Sequence, residues 1–194
     1  MNKEQAVLND IRERLSDFRY IHSLEVAKSA RELAVKYGYD PNKAYLAGLS
    51  HDVLKELTKE EFSDFFRKEN ISLSPVEKNA PKLWHSIAGA KYLEKNYGLC
   101  DEIISAVRYH TTGKENMTPG EKILFVADFI SLDRSYNGVE DMRRRALISL
   151  EYAMEEGLRF TIEELAAKNL PIHPDTLACY NEILLREKQT KKEE

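Results

Sequence analysis

An imidazole and a carboxylate stand side by side at His51-Asp52, where the apolar pattern Ala44-Tyr45-Leu46-Ala47-Gly48-Leu49 ends. Neighbouring residues on a helix lie about 100° apart, so the two do not share a face, yet both reach an ion lying in the cleft between them. Lys55 follows one turn after Asp52. A carboxylate can bridge two cations, an imidazole holds one, and an ammonium can take up charge on a phosphate oxygen. The other candidates sit within apolar stripes. His22 is followed by Val26, His85 by Ala88, Gly89 and Tyr92, and His110 is preceded by Ile103 and Val107; Asp128 lies between Leu124, Phe125 and Leu132. This spacing turns all four toward the interior side of their helices. A buried carboxylate without compensation costs several kcal/mol by rough estimate, and a divalent cation is one compensation. A single histidine on an apolar face is more often a satisfied core residue. Here four of the five histidines in the chain occupy such positions or the His-Asp pair, and jointly they point to a shared metal. The fifth, His173, between Ile172 and Pro174, reads as a loop or capping residue.

These residues need helices to hold them, and the sequence supplies little else. Eight glycines and six prolines fall at the boundaries of periodic apolar segments, with no convincing strand between them. Residues 3–15 read as a modest helix and roughly 19–37 as a second, stopped at Gly38 as a C′ residue. Asp40-Pro41 gives an N-cap and a proline at N1 for the helix ending near His51-Asp52. Thr58/Glu61, Ser74/Glu77 and Thr118/Glu121 have the spacing of capping boxes, the last two with proline at N1. Pro81 and Gly98 bracket a helix with Trp84 and His85, and 100–110 form a shorter one ending at His110. The helix after Thr118 is expected to hold Leu124, Phe125, Asp128 and Leu132. One longer pattern covers roughly 139–156 and another follows Pro174. The expected fold class is therefore all-α, one helical-bundle domain over 1–194 with its core at about 17–185 and a charged, fraying tail from Lys188 to Glu194.

Composition limits the partners. The 194 residues include 32% charged and 42% hydrophobic types at net charge −4, with both signs interspersed, which argues against a nucleic-acid footprint. Arg143-Arg144-Arg145 reads as a solvated helix face. No apolar run approaches the roughly 18 residues of a membrane span, and the polar start lacks a secretory h-region. Two cysteines, Cys100 and Cys179, make no disulfide framework, so a reduced, cytoplasmic setting is expected.

The order His22, then His51-Asp52, then Asp128 resembles the HD superfamily of metal-dependent phosphohydrolases. The segments Trp84-His85-Ser86 and Tyr109-His110-Thr111-Thr112-Gly113 are similar to its YqeK-type branch, the symmetrical diadenosine tetraphosphatases. The likeness runs over roughly 17–185 and implies a helical bundle of the HD type. It also implies that His22, His51, Asp52 and Asp128 hold iron, with His85 and His110 beside the substrate phosphates or completing a second metal position bridged by Asp52. Nucleotide contacts are implied for Arg19, Lys55 and Arg134 and for the turn 169–174, with Ile172 and His173.

Mixed imidazole and carboxylate ligation suits Fe, Mn or Zn and disfavours Mg and Ca. Such an ion lowers the pKa of bound water, and the hydroxide it supplies is expected to attack a phosphorus in line while the ion, His85 and His110 in protonated form, and Lys55 stabilise the charge that develops. If the resemblance holds, attack at an inner phosphate of diadenosine tetraphosphate yields two ADP. The expected partners are thus a dinucleoside polyphosphate, ADP as product and a second copy in a homodimer, with no nucleic acid and no membrane. The rivals are an HD phosphohydrolase acting on mononucleotides and a non-catalytic nucleotide-sensing module. An iron-storing bundle is disfavoured because Glu-x-x-His repeats are absent.

Overall fold

The computed structural model describes the backbone of residues 3–193 and the side chains of residues 3–186. Eleven α-helices and no strand occur among the described residues. In chain order they are α1 (Lys3–Arg14), α2 (Asp17–Tyr37), α3 (Pro41–Ser50), α4 (Lys59–Lys68), α5 (Pro75–Lys78), α6 (Trp84–Tyr97), α7 (Asp101–Tyr109), α8 (Pro119–Ile130), α9 (Val139–Ile148), α10 (Leu150–Ala167) and α11 (Pro174–Glu193); a 3-10 turn, Pro81–Leu83, leads into α6. None is long and apolar enough to cross a membrane. The expected fraying tail, 188–194, lies outside the residues whose side chains are described.

The local signals behave as their chemistry requires. Thr58, Ser74 and Thr118 each accept from the backbone three residues on, while Glu61, Glu77 and Glu121 reach back to the cap. Asp40 accepts from the Asn42 and Lys43 amides ahead of Pro41, and Gly38 closes α2 in the left-handed region at φ 69°.

One close approach sets the geometry of the site. A Cβ on Gly48 would lie 2.6 Å from Ala27 Cα and 2.9 Å from Ala27 N, so α3 packs backbone to backbone on α2. Ala30, Ala34, Ala44 and Ala47 are buried around that seam. With no side chains to hold the helices apart, the His22 and His51 rings come to 5.3 Å between centroids. Helix α8 is buried along Ile123, Leu124, Phe125, Val126 and Ala127, an almost continuous apolar run that fixes it at the centre of the bundle and delivers Asp128 beside α2.

Three expectations are corrected. The pattern over 139–156 is two helices, because Ser149 adopts extended backbone (φ −153°, ψ 153°) and its hydroxyl caps α10 by accepting from Tyr152 N; a serine's ability to replace the backbone partner outweighs the apolar periodicity. Leu132 lies beyond the end of α8 and is 74% exposed, so it is no part of an inward stripe. Arg143 is not a solvated charge. Its guanidinium donates to the carbonyls of Ile130 (3.0 Å), Ser131 (2.9 Å) and Arg134 (3.2 Å), fastening the loop after α8.

Candidate active site

His22 from α2, His51 at the end of α3, Asp52 just beyond it, His85 from α6, His110 at the end of α7 and Asp128 from α8 converge in the bundle's interior. His22 Nε2 lies 3.0 Å from Asp128 Oδ1, and His51 Nε2 lies 3.5 Å from Asp52 Oδ2 and 4.0 Å from Asp128 Oδ1. Two overlapping sets have ligand atoms within 4.8 Å of one another: His22, His51 and Asp128, and His51, Asp52 and His110. His85 Nε2 is 3.1 Å from both Asp52 Oδ1 and His110 Nε2, and 3.0 Å from Lys55 Nζ.

The backbone fixes which nitrogen of each ring is free. His51 Nδ1 lies 2.7 Å from Gly48 O and His110 Nδ1 2.7 Å from Val107 O. A carbonyl can only accept, so both rings carry their proton on Nδ1 and present a lone pair at Nε2. His51 Nε2 is fully buried without a hydrogen-bond partner, and a buried acceptor in that state is costly unless something electropositive meets it. An imidazole lone pair flanked by two carboxylates fits a divalent transition ion. His22 Nδ1 donates instead to Asp133 Oδ2 at 2.7 Å, the carboxylate–histidine arrangement that raises a ligand's basicity and fixes its ring.

Electrostatics follow from this crowding. Burial drives His51 below its ordinary value, and burial with the neighbouring His51 and His85 drives His110 well below. Burial opposes ionisation of Asp52, but His51, His85 and Lys55 outweigh it and hold the carboxyl well below the usual range. The same contest at Asp128 is decided by His22, His51 and Arg134. At His22 burial lowers the pKa, yet Asp128 and Asp133 together leave it raised.

Beside the cluster opens a cavity of about 510 Å³ lined by Arg19, Lys55, Lys59, Lys82, Arg134, His85, Trp84, Phe62, Leu57 and Pro81. Arg19 Nη1 lies 3.5 Å from Asp52 Oδ2, and Lys55 Nζ lies 3.3 Å from Asp52 Oδ1. Arg134 donates to the Asp128 carbonyl at 2.8 Å and also pairs with its carboxylate. Ile172 and His173 are not among the lining residues. His173 Nδ1 accepts from Asp175 N at 3.2 Å, capping α11, while Nε2 faces Glu77 at 3.8 Å.

A family model described as "HD domain" matches residues 19–133, more than half of the chain, and spans the cluster from Arg19 through Asp128 to Asp133. The chain belongs to the HD-domain family. Its HD relatives include "Bis(5'-nucleosyl)-tetraphosphatase, symmetrical" of Halalkalibacterium halodurans, 40% identical over 97% of this chain and 100% of that protein. The enzyme of the same name from Bacillus subtilis strain 168 is 38% identical over 93% and 97%. Among solved structures, a crystal structure from Clostridium acetobutylicum named as a predicted HD superfamily hydrolase involved in NAD metabolism matches with a TM-score of 0.90 at 31% identity, covering 94% of this chain and 97% of that one.

Within this HD site the structure brings together Arg19, His22, His51, Asp52, Lys55, His85, His110, Asp128 and Arg134. Sequence reasoning missed Asp133, Arg143, Lys59 and Lys82. Asp133 and Arg143 act from outside any periodic segment that contains a ligand, and Lys59 and Lys82 are two among many surface lysines until the fold sets them on one cavity. The cysteines are free, Cys100 exposed and Cys179 buried.

Proposed function

We propose that this chain is a metal-dependent hydrolase that cleaves diadenosine tetraphosphate symmetrically into two ADP. The observation that carries the metal is the buried, unpartnered His51 Nε2 between Asp52 and Asp128; what carries the substrate is the cationic cavity beside it, together with the activity named for relatives aligned over nearly the whole chain. His22, His51, Asp52 and Asp128 would hold iron, with manganese or zinc as alternatives, and Asp52 and His110 would serve a second ion. A divalent ion held there supplies Lewis acidity and lowers the pKa of water.

The chain's own groups do the rest. Arg19, Lys55 and Arg134 bind the non-bridging oxygens of the inner phosphates, each already oriented by a carboxylate of the cluster. His85 donates a proton from Nε2 to the departing phosphate oxygen, a role supported by its 3.1 Å approach to the Asp52 carboxylate, which can only accept. His110 has spent its Nδ1 proton on Val107 O, so it serves as a ligand and not as an acid. Phe62, Trp84 and Leu57 exclude water from the cavity wall. A cytoplasmic setting suits the free thiols.

Product analysis tests the reading. Purified protein of known metal content is given diadenosine tetraphosphate, and ADP is expected as the sole nucleotide product. ATP with AMP would move the scission, and no turnover with metal bound would overturn the enzymatic assignment.

A further inference from the structure

Lys59 and Lys82 take no part in the mechanism above, yet both line its cavity. The chain carries 29 Lys and Arg against 33 Asp and Glu, so a surface patch drawn at random would contain both signs. This lining holds five cations and no carboxylate. Arg19 and Lys55 are engaged by Asp52, and Arg134 by Asp128. Lys59 and Lys82 have no carboxylate within 4.0 Å among the described residues, and Glu164 acts on Lys82 only from farther away. They approach the cavity from separate elements, Lys59 as the first residue of α4 and Lys82 from the 3-10 turn before α6. Trp84 completes the outer wall as a fixed plane. Its Nε1 donates to Glu77 O at 2.7 Å, and its ring packs edge-on against Phe62 and Phe66, 5.9 Å from each.

We propose that Lys59, Lys82 and Trp84 form the subsite for the second nucleoside diphosphate half of the substrate, the half that departs when the inner phosphorus held at the His-Asp cluster is attacked. This rests on the proposed function and assigns residues to the end of the substrate which that reading leaves unheld. A mononucleotide with its phosphate on the cluster is satisfied by Arg19, Lys55 and Arg134. A tetraphosphate brings about four ionised oxygens and a second base, and its outer phosphates need cations that no internal acid has claimed. The lysines neutralise those phosphates, and the indole offers the second base an apolar plane. The subsite thereby selects dinucleoside polyphosphates over mononucleotides.

The test uses the metal-loaded full chain and the double variant Lys59→Gln, Lys82→Gln, in which both exposed side chains stay polar and lose their charge. Steady-state hydrolysis of diadenosine tetraphosphate, inhibition by ADP and fluorescence of Trp84, the single tryptophan, are read together. In the double variant kcat/KM for diadenosine tetraphosphate is expected to fall tenfold or more and to decline less steeply with added salt. The inhibition constant of ADP, which the cluster half binds, is expected to stay within twofold. A diadenosine tetraphosphate analogue with a methylene bridge between its inner phosphates is expected to quench Trp84, and to need at least tenfold more ligand in the variant. Unchanged kcat/KM and salt dependence in the variant, with the wild-type chain producing ADP, would remove the subsite and leave the function standing. Equal loss of ADP inhibition would also overturn it, placing the lysines on the cluster half. A wild-type chain that makes no ADP would instead defeat the function on which the subsite rests.

Discussion

Asp133 is expected to control how tightly the site holds its ion, although no atom of it is a proposed ligand. Its Oδ2 accepts the Nδ1 proton of His22 at 2.7 Å, and the His22 ring is 1% exposed, so that proton has little other access to an acceptor. Asp133→Asn keeps an oxygen that can accept that proton but removes the charge; Asp133→Ala removes both. Partners of this kind are worth tenfold to a hundredfold in metal affinity, about 1.4 kcal/mol for each tenfold. The Asn variant is therefore expected to weaken binding about tenfold, and the Ala variant, which leaves a buried donor unpaired, nearer a hundredfold. Competition against a chromophoric chelator measures the affinity directly, and the melting temperature of the metal-free variants separates loss of the ligand's orientation from loss of the fold. Affinities within twofold of wild type for both variants would refute the reasoning. So would equal losses for Asn and Ala, because the charge would then contribute nothing.

Stripping the metal with a chelator should lower the melting temperature, since an ion at a hundred times its dissociation constant stabilises by about 2.7 kcal/mol, or roughly 5–10 °C for a chain of this size; an unchanged melting point on verified removal would count against the site. Arg143→Met strips three carbonyls of their donor and should cost about 1–3 kcal/mol of stability while raising KM, because the loop it fastens carries Asp133 and Arg134. A variant that melts lower with unchanged KM would make the clamp purely structural. Cys100 should react with a thiol reagent at neutral pH and Cys179 should not, since burial pushes the Cys179 thiol up to about 11 from an ordinary 9.0. The unfolded chain loses that proton first, so this contribution to stability is intact below pH 9 and falls as pH rises toward 11, by about 2–3 kcal/mol at most. Cys179→Ala should flatten that alkaline decline, as chemical denaturation across the range would report.

What could be read from the sequence was what short stretches of chain decide for themselves. The three capping boxes, Asp40-Pro41 and Gly38 involve groups within four residues, and the structure forms all of them. The ligand candidates were legible because a polar residue on an apolar stripe needs a reason. Asp133 offered no such signal: it lies in a loop, and its importance comes from His22, more than a hundred residues away in the chain. Arg143 was misread for the same cause, since its three acceptors are backbone carbonyls, which leave no trace in side-chain types. The break at Ser149 shows the opposite limit, where a local hydroxyl overrides a periodicity that continues through it.

The fold uses one device twice to prepare its ligands. His51 and His110 each stand at the C-cap of a helix, α3 and α7, and each gives its Nδ1 proton to a carbonyl three residues back. Those carbonyls belong to the last turn, where no backbone N–H remains to satisfy them. One hydrogen bond therefore completes the helix end and fixes the tautomer that leaves Nε2 as a lone pair. The helix ends also carry partial negative charge, which favours a cation in front of them. His22, in mid-helix, has no such carbonyl and borrows Asp133 instead. His85 is the second residue of α6, where the backbone presents N–H groups and not carbonyls, so nothing in its own helix fixes its tautomer. On the proposed reading, that difference in position, not in residue type, assigns the first three histidines to the metal and the fourth to proton transfer.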